Sequence, residues 1–161
     1  MTDFAGLLRA LTEAGVEFIV VGGAAATAHG SSLLTLDLDV VYRRSPENIE
    51  RVATALGAYN AYLRGAPRGL PFRWDAATIT RGLNFTLTTD LGAIDLLGEI
   101  TGGGGYDALL PHTVVLKLFE LECRCLGLEK LIEVKRAAGR PKDFEAIAQL
   151  EALLEERERG G

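Results

Sequence analysis

The sequence predicts a single α+β domain. The chain has 161 residues, within the range of about 100 to 200 that one domain usually occupies. Apolar residues make up 48% and charged residues 24%, a globular balance that excludes the disordered, collagen-like and disulfide-scaffold classes. Helix-like and strand-like apolar patterns alternate through the first hundred residues, and two helical patterns close the chain.

The first 28 residues predict a helix, a strand and a second helix. Apolar residues spaced by three and four positions predict a helix over 4–11 that ends near Gly15. The apolar run 18–21 predicts a buried strand. Gly22-Gly23 then opens an alanine-rich stretch, 24–28, whose composition favours a short helix close to a sheet.

A second strand and a well-marked helix follow. Alternation over 36–42 predicts the strand and places Asp37 and Asp39 on one face, because side chains repeat every two residues. Ser45 has the hydroxyl of an N-cap, and a proline and a glutamate follow it. These signals predict a helix that ends at Gly57.

The middle of the chain predicts a loop and further strands. Residues 60–77 are rich in Arg, Gly and Pro and have no clear period, which indicates a loop. Strands are predicted over 83–88 and 93–97, joined by a tight turn at 90–92. The mixed pattern of 113–126 indicates one or two more strands.

Two helical stripes, the first closed by Gly139, predict a C-terminal pair over 128–157. The remaining core covers 5–126. Nothing in the sequence divides residues 1–161 into separate domains.

Composition and charge limit the functions that the chain can have. The formal net charge of -5 argues against a broad face that coats nucleic acid, so any such contact must be local. The sequence has no unbroken run of 18 apolar residues, and we expect a soluble, cytoplasmic protein without a membrane partner. Cys123 and Cys125 lack the second pair that a structural zinc site needs, which favours reduced thiols in the core.

Three aspartates are the strongest chemical signal. Asp37 and Asp39, with Cα atoms about 6 to 7 Å apart on one strand face, suit hard cations such as Mg2+. The alternative interpretation is that they form the solvated face of an edge strand. Asp95 stands alone among apolar residues, where a bare charge costs several kcal/mol unless it is paired or binds metal. Gly22-Gly23, between a strand and a helix, can direct backbone N–H groups at a phosphate.

Several motifs together resemble one protein family. The motifs are Val20-Val21-Gly22-Gly23, His29-Gly30-Ser31, Thr35-Leu36-Asp37-Leu38-Asp39, Asp95 after Gly92, and the segment from Lys135 to Asp143. They resemble minimal nucleotidyltransferases of the DNA polymerase beta superfamily. Within it they are most similar to the small toxin-associated branch of bacterial abortive-infection and toxin-antitoxin systems.

The resemblance implies a fold, a reaction and a set of residues. The implied fold is a mixed sheet with helices on one side, and the implied reaction transfers a nucleoside monophosphate from an NTP to a hydroxyl. Asp37, Asp39 and Asp95 would hold Mg2+ (or Mn2+) and carry the catalysis. The residues assigned to the nucleotide are Gly22, Gly23, Ser31, Thr35, Lys135, Arg140 and Lys142. An RNA acceptor such as tRNA and a cognate antitoxin protein are the implied partners.

The sequence departs from the family pattern at Leu33 and Leu34, where related sequences usually carry an arginine. Residues 130–142, which we call the basic segment, can supply the missing charge because they hold five basic side chains against one acid. Lys135, Arg140 and Lys142 are its candidates. The alternative for the basic segment is a solvated helix face with cations near a helix end.

A second basic region lies in residues 64–81, which we call the arginine loop. Arg64, Arg68, Arg73 and Arg81 flank Phe72 and Trp74, a combination that can stack bases and hold a nucleic-acid backbone. This loop is the sequence's support for an RNA acceptor. Arginines that are merely solvated are the alternative.

Two other functions fit part of the sequence. A haloacid-dehalogenase-like phosphatase would use Asp37 and Asp39 as nucleophile and acid, but that fold needs its motif on the first strand. A degenerate module would keep the fold and bind only a nucleotide or a partner protein. Convergence of Asp37, Asp39 and Asp95, with a lysine or arginine within reach, distinguishes an enzyme from such a module.

Overall fold

The computed structural model describes residues 2–160, which form helices around a seven-stranded mixed sheet. A second sheet of two short strands is also present. The α+β class predicted from the sequence is confirmed.

The helices are α1 (Phe4–Glu13), α2 (Gly22–Ala28), α3 (Pro46–Gly57), α4 (Ala76–Arg81), α5 (Tyr106–Leu109), α6 (Leu128–Ala138) and α7 (Phe144–Arg159). The strands are β1 (Phe18–Val21), β2 (Leu38–Tyr42), β3 (Tyr62–Leu63), β4 (Phe85–Thr89), β5 (Gly92–Leu97), β6 (Glu99–Ile100), β7 (Gly104–Gly105), β8 (Thr113–Leu118) and β9 (Leu121–Leu126). Two short 3-10 helices are Leu110–His112 and Pro141–Asp143.

The large sheet has the strand order β3-β4-β5-β2-β1-β9-β8. Strand β2 runs parallel to β5, and β1 runs parallel to β9, whereas the other neighbours in this sheet are antiparallel. The parallel register of β2 and β5 places Asp39 opposite Asp95. Two acids that are 56 positions apart in the sequence therefore become neighbours at the middle of the sheet.

Most predicted elements are present with shifted ends. The helix predicted after Ser45 is α3, and the Ser45 side chain accepts a hydrogen bond from the Asn48 N–H, as an N-cap does. Strand β2 begins at Leu38 rather than at Leu36, so Asp37 lies just ahead of the strand. The two aspartates still reach the same site.

The ambiguous stretch 113–126 is a hairpin of β8 and β9. Its turn places Phe119 and Glu120 at positive φ, 50° and 69°. The prediction of reduced, buried cysteines is confirmed, because Cys123 and Cys125 are both free and buried. Burial raises the pKa of the Cys125 thiol to about 12, which keeps it protonated and unreactive.

The region predicted as a loop, 60–77, contains more structure than expected. Strand β3 lies in it and forms one edge of the sheet through antiparallel pairing with β4. Helix α4 begins near its end, after Asp75, whose side chain accepts a hydrogen bond from the Thr78 N–H. Only the segment between β3 and α4 is irregular.

Helix α1 contacts α3, which in turn contacts α4. Helices α6 and α7 pack on one another as the predicted C-terminal pair, and α6 also contacts α2. The basic segment covers most of α6 and the residues that follow it. The contact between α6 and α2 therefore brings this segment towards the glycine pair that begins α2. Among residues 2–160, the helices are too short or too polar to cross a bilayer.

Candidate active site

Asp37, Asp39 and Asp95 converge, and we call them the acidic triad. Asp39 lies on β2, its register partner Asp95 lies on β5, and Asp37 immediately precedes β2. One carboxylate oxygen from each residue lies within 4.8 Å of the others. Three carboxylate oxygens at such distances can share one hard cation such as Mg2+, which prefers oxygen ligands.

The electrostatics of the acidic triad make it unfavourable without a compensating cation. Burial is the main cause that raises the pKa of Asp39 to about 7, and the charge and hydrogen bond of Asp95 and the charge of Asp37 add to it. Lys135 opposes the rise. The Oδ1 atoms of Asp39 and Asp95 are buried without a hydrogen-bond partner among residues 2–160. Buried carboxylate oxygens without donors fit a divalent cation.

The glycine pair is required by the packing around Asp39. Val21 pairs with Asp39 across the sheet, so Gly22 follows directly beside that aspartate. Gly22 has a φ of 63°, and a Cβ there would collide with the Asp39 carboxylate. A Cβ on Gly23 would lie 2.6 Å from the Thr35 hydroxyl oxygen. Both positions therefore accept only glycine without movement of a neighbour.

Ser31 and Thr35, which were predicted to bind nucleotide, already have partners within the chain. The Thr35 hydroxyl donates to the Asp37 carbonyl oxygen at 3.1 Å. The buried Ser31 hydroxyl donates to the Gln149 side-chain oxygen at 2.5 Å and accepts from the Leu33 N–H at 3.2 Å. These two side chains hold the loop between α2 and β2 in place.

The basic segment borders the acidic triad. A cleft of about 380 Å³ brings together the glycine pair, the acidic triad and the predicted phosphate-binding cations. Lys135 and Arg140 are both drawn to the buried Asp143, at 3.8 Å and 2.7 Å respectively. Lys142 lines the cleft and is exposed. The charge of the segment is therefore partly neutralised by Asp143, the residue that directly follows it.

Arg64, which lies outside the basic segment, also contacts the acidic triad. This contact was not predicted from the sequence. Its guanidinium nitrogens lie 3.4 Å from Asp37 Oδ2 and 3.0 Å from Asp95 Oδ1. The resemblance leads us to expect an arginine near Leu33 and Leu34, and Arg64 provides a cation at the site from another part of the chain. The missing signal was strand β3. Arg64 directly follows that strand, and the pairing of β3 with β4 brings it into the sheet.

The rest of the arginine loop does not form the predicted stacking surface. The Phe72 and Trp74 rings lie 6.4 Å apart, and Trp74 packs edge-on against Phe85 at 5.4 Å. Both rings are partly buried against the core. Arg68 lies over the Tyr62 ring at 4.7 Å. The aromatic residues thus support the fold at the β3 edge.

A second cleft, of about 300 Å³, also borders the acidic triad. Its apolar wall comes from α6 and β6, through Leu131, Val134 and Ile100, while Asn84 and Glu99 line its polar part. Asp39, Asp95 and Lys135 line both clefts. Two adjoining clefts therefore give access to Asp39 and Asp95.

His29 is structural. Its buried ring Nε2 lies 2.8 Å from the Leu126 carbonyl oxygen, and Arg157 lies 3.3 Å from Nδ1. Burial lowers the pKa of His29, so the neutral ring donates from Nε2 and accepts at Nδ1. His29 is the residue that ends α2, and these two contacts hold that helix end in place.

Solved structures with the same fold cover nearly the whole chain. One is a Thermotoga maritima protein described as a nucleotidyltransferase, with 15% identity over 92% of this chain and 94% of that chain and a TM-score of 0.54. The lincosamide antibiotic adenylyltransferase LnuA, lincomycin-bound, has 13% identity over 94% and 98%, with a TM-score of 0.61. ANT(2'')-Ia in complex with adenylyl-2''-tobramycin has 14% identity over 98% and 96%, with a TM-score of 0.57.

No family model and no curated protein matches the sequence. The solved structures, at 13 to 15% identity, show the fold alone. The chain therefore has the fold of a minimal nucleotidyltransferase, as the resemblance of its motifs implied.

Proposed function

We propose that the protein is a metal-dependent nucleotidyltransferase that moves a nucleoside monophosphate from an NTP to a hydroxyl acceptor. The observation that carries the proposal is the convergence of Asp37, Asp39 and Asp95 beside Gly22 and Gly23. An arginine lies within reach of two of these acids. That combination favours an enzyme over a degenerate binding module, which would not need three buried or half-buried acids at one point.

Asp37, Asp39 and Asp95 would hold Mg2+ or Mn2+. Their oxygen donors suit these hard cations, and the partnerless oxygens of Asp39 and Asp95 support the fit. When bound, such a cation lowers the pKa of an attacking hydroxyl and neutralises charge on the phosphates. The protein's own contribution is to hold three carboxylates together on neighbouring strands.

The triphosphate is assigned to the cleft that contains the glycine pair. Gly22 and Gly23 line this cleft, and their lack of side chains lets Asp39 and Thr35 pack against the backbone beside it. Lys135, Arg140 and Lys142 line the same cleft and would offset phosphate charge. We assign Ser31 and Thr35 to this cleft as residues that fix its wall. Their side chains are already hydrogen-bonded within the protein.

The acceptor is assigned to the second cleft, next to Asp95. Its hydroxyl oxygen forms a bond to the α-phosphorus as the bond from that phosphorus to the bridging oxygen breaks. Pyrophosphate leaves, and Asp95 accepts the hydroxyl proton. Asp95 suits this role because it lines the second cleft and its Oδ1, although it lies 3.0 Å from the Arg64 guanidinium, accepts no aligned hydrogen bond within the described chain.

RNA, in particular tRNA, and a small molecule are the two acceptor classes to test. The toxin-associated resemblance and Arg68 and Arg73 of the arginine loop favour RNA, although Phe72 and Trp74 are packed inward. LnuA and ANT(2'')-Ia are antibiotic-modifying proteins with the same fold. A cognate antitoxin partner rests on the resemblance alone.

The experiment is incubation of the protein with each labelled NTP and Mg2+, together with separate acceptor pools. The pools are total RNA, total protein, a lincosamide and an aminoglycoside. Incorporation into one pool, lost on removal of Mg2+ and in Asp39→Asn, supports the proposal and names the acceptor class. Binding of NTP without transfer to any pool would favour the degenerate module.

A further inference from the structure

Arg64 is fixed to the sheet independently of the acidic triad. Its backbone N–H continues the pairing of β3 with β4 through the Thr86 carbonyl at 3.0 Å. Its guanidinium donates twice to the Leu87 carbonyl oxygen, from Nε at 3.2 Å and from Nη2 at 2.7 Å. The arginine is therefore held in place by main-chain acceptors.

The contacts of Arg64 with the acids are either poorly aligned or long. Nη2 lies 3.0 Å from Asp95 Oδ1, but that oxygen accepts no aligned hydrogen bond. The contact from Nη1 to Asp37 Oδ2 is long, at 3.4 Å. Arg64 thus acts on the two carboxylates mainly through its charge, and a stronger cation can replace it at the oxygens while its bonds to Leu87 persist.

The local charge count shows what Arg64 does for the acidic triad in the metal-free protein. With all three acids ionised, three negative charges face one positive charge on Arg64 and one on Lys135 nearby. One net negative charge remains at the site, which is far less unfavourable than three negative charges without a cation. A divalent cation that binds without nucleotide must therefore enter a site that is already largely neutralised.

We propose that Arg64 is an internal counter-ion of the acidic triad, a positioning residue that competes with a divalent cation for Asp37 and Asp95. The inference rests on the proposed metal site. It has two consequences that arise from the same interaction: Arg64 stabilises the metal-free protein, and it weakens metal binding before the nucleotide arrives. A divalent cation delivered together with the negatively charged triphosphate is disfavoured less by the arginine.

The test is a titration with Mn2+ alone, followed by electron paramagnetic resonance, together with thermal melts in EDTA and in saturating Mn2+. Arg64→Met should tighten Mn2+ binding about tenfold, the effect of one nearby charge, and should lower the Tm in EDTA. Saturating Mn2+ should close most of the Tm difference from the parent protein. Arg64→Lys keeps the charge but loses the double contact, so it should change both quantities in the same direction by less.

Arg68→Met is the matched control, because Arg68 belongs to the same loop and lies over Tyr62 instead of the acids. It should leave Mn2+ affinity unchanged. If Arg64→Met and Arg64→Lys bind Mn2+ as the parent protein does, or more weakly, the counter-ion role is wrong. If Asp39→Asn binds Mn2+ as well as the parent, or if none of the variants binds it, the metal site of the proposed function is itself wrong.

Discussion

The two basic regions of the chain look alike in sequence but differ in what neutralises them. In the basic segment, Lys135 and Arg140 both approach the buried Asp143. In the arginine loop, Arg64 approaches Asp37 and Asp95. The counter-ion of the basic segment is therefore Asp143, the next residue along the chain. The first arginine of the arginine loop instead has acids of the site as its counter-ions. The position of a counter-ion, more than the number of cations, decides which region acts on the acidic triad.

The largest expected effect follows from removing the acid that both regions surround. Asp39→Asn should lower nucleotidyl transfer by about 100- to 1000-fold or more, because a buried metal-binding charge is lost while the side-chain volume is kept. Label incorporation under saturating NTP measures it. Asp90→Asn, at an exposed acid in the turn between β4 and β5, is the control and should remain fully active. Retention of more than a tenth of the activity in Asp39→Asn would remove Asp39 from the mechanism.

The raised pKa of Asp39 predicts the pH dependence of stability in EDTA. The folded protein keeps the Asp39 proton up to a pH of about 7, whereas the unfolded chain releases it near 4. Stability therefore falls as the pH rises through this window. Asp39→Asn removes the effect, so the variant should match the parent protein near pH 4 and exceed it by roughly 2 to 4 kcal/mol at pH 8.

Urea denaturation of both proteins at pH 4.5 and pH 8 measures this difference, and the ionisable groups remote from the acidic triad cancel in the comparison. A variant that is less stable than the parent at pH 8 would mean that the Asp39 carboxylate has a structural partner.

The basic segment is tested through nucleotide affinity. Lys135→Ala and Lys142→Ala should each weaken NTP binding by roughly 1 to 3 kcal/mol, the range for one charge-assisted contact. Calorimetric titration measures it, and Lys117→Ala, on the exposed strand β8, is the control. Equal NTP affinities in the parent protein and the three variants would show that Asp143 neutralises the segment completely. The triphosphate would then need another site.

The smallest effect concerns the outward half of the arginine loop. RNA binding through three or four phosphate contacts should weaken with salt at a logarithmic slope of about -2 to -3, because each contact contributes about -0.7. Replacing Arg68 and Arg73 together with methionine should flatten the slope by about 1.4 without changing NTP affinity. Filter binding at several salt concentrations measures it. RNA affinity that does not depend on salt would leave a small molecule as the acceptor.

Local patterns were sufficient to predict the first half of the fold and the identity of the three acids. The glycine pair, the alternation around Asp37 and Asp39 and the cap at Ser45 are local signals, and the structure contains each of them. The isolation of Asp95 among apolar residues singled it out as an acid that needs a partner, and the structure places it beside Asp37 and Asp39. Its pairing with Asp39 depends on the parallel register of β2 and β5, which local sequence does not encode.

Arg64 and Ser31 show where sequence reasoning stops. Strand β3 has only two residues, too few for a period, and Gly65, Pro67 and Gly69 follow it in a segment typical of a loop. The partner of Ser31 is Gln149, at a separation of 118 residues. Such contacts are decided by how the elements pack, and the patterns of the separate segments carry no information about them.

The contact between Ser31 and Gln149 also determines when the loop between α2 and β2 can be fixed in place during synthesis. Gln149 lies on α7, the last helix, and it binds both Ser31 and Ser32 in the loop beside the acidic triad. A ribosome must therefore synthesise the chain at least as far as Gln149 before this loop gains these hydrogen bonds. A nascent chain that has already folded its sheet still lacks this support for one wall of the cleft, and the loop is fixed only when α7 docks.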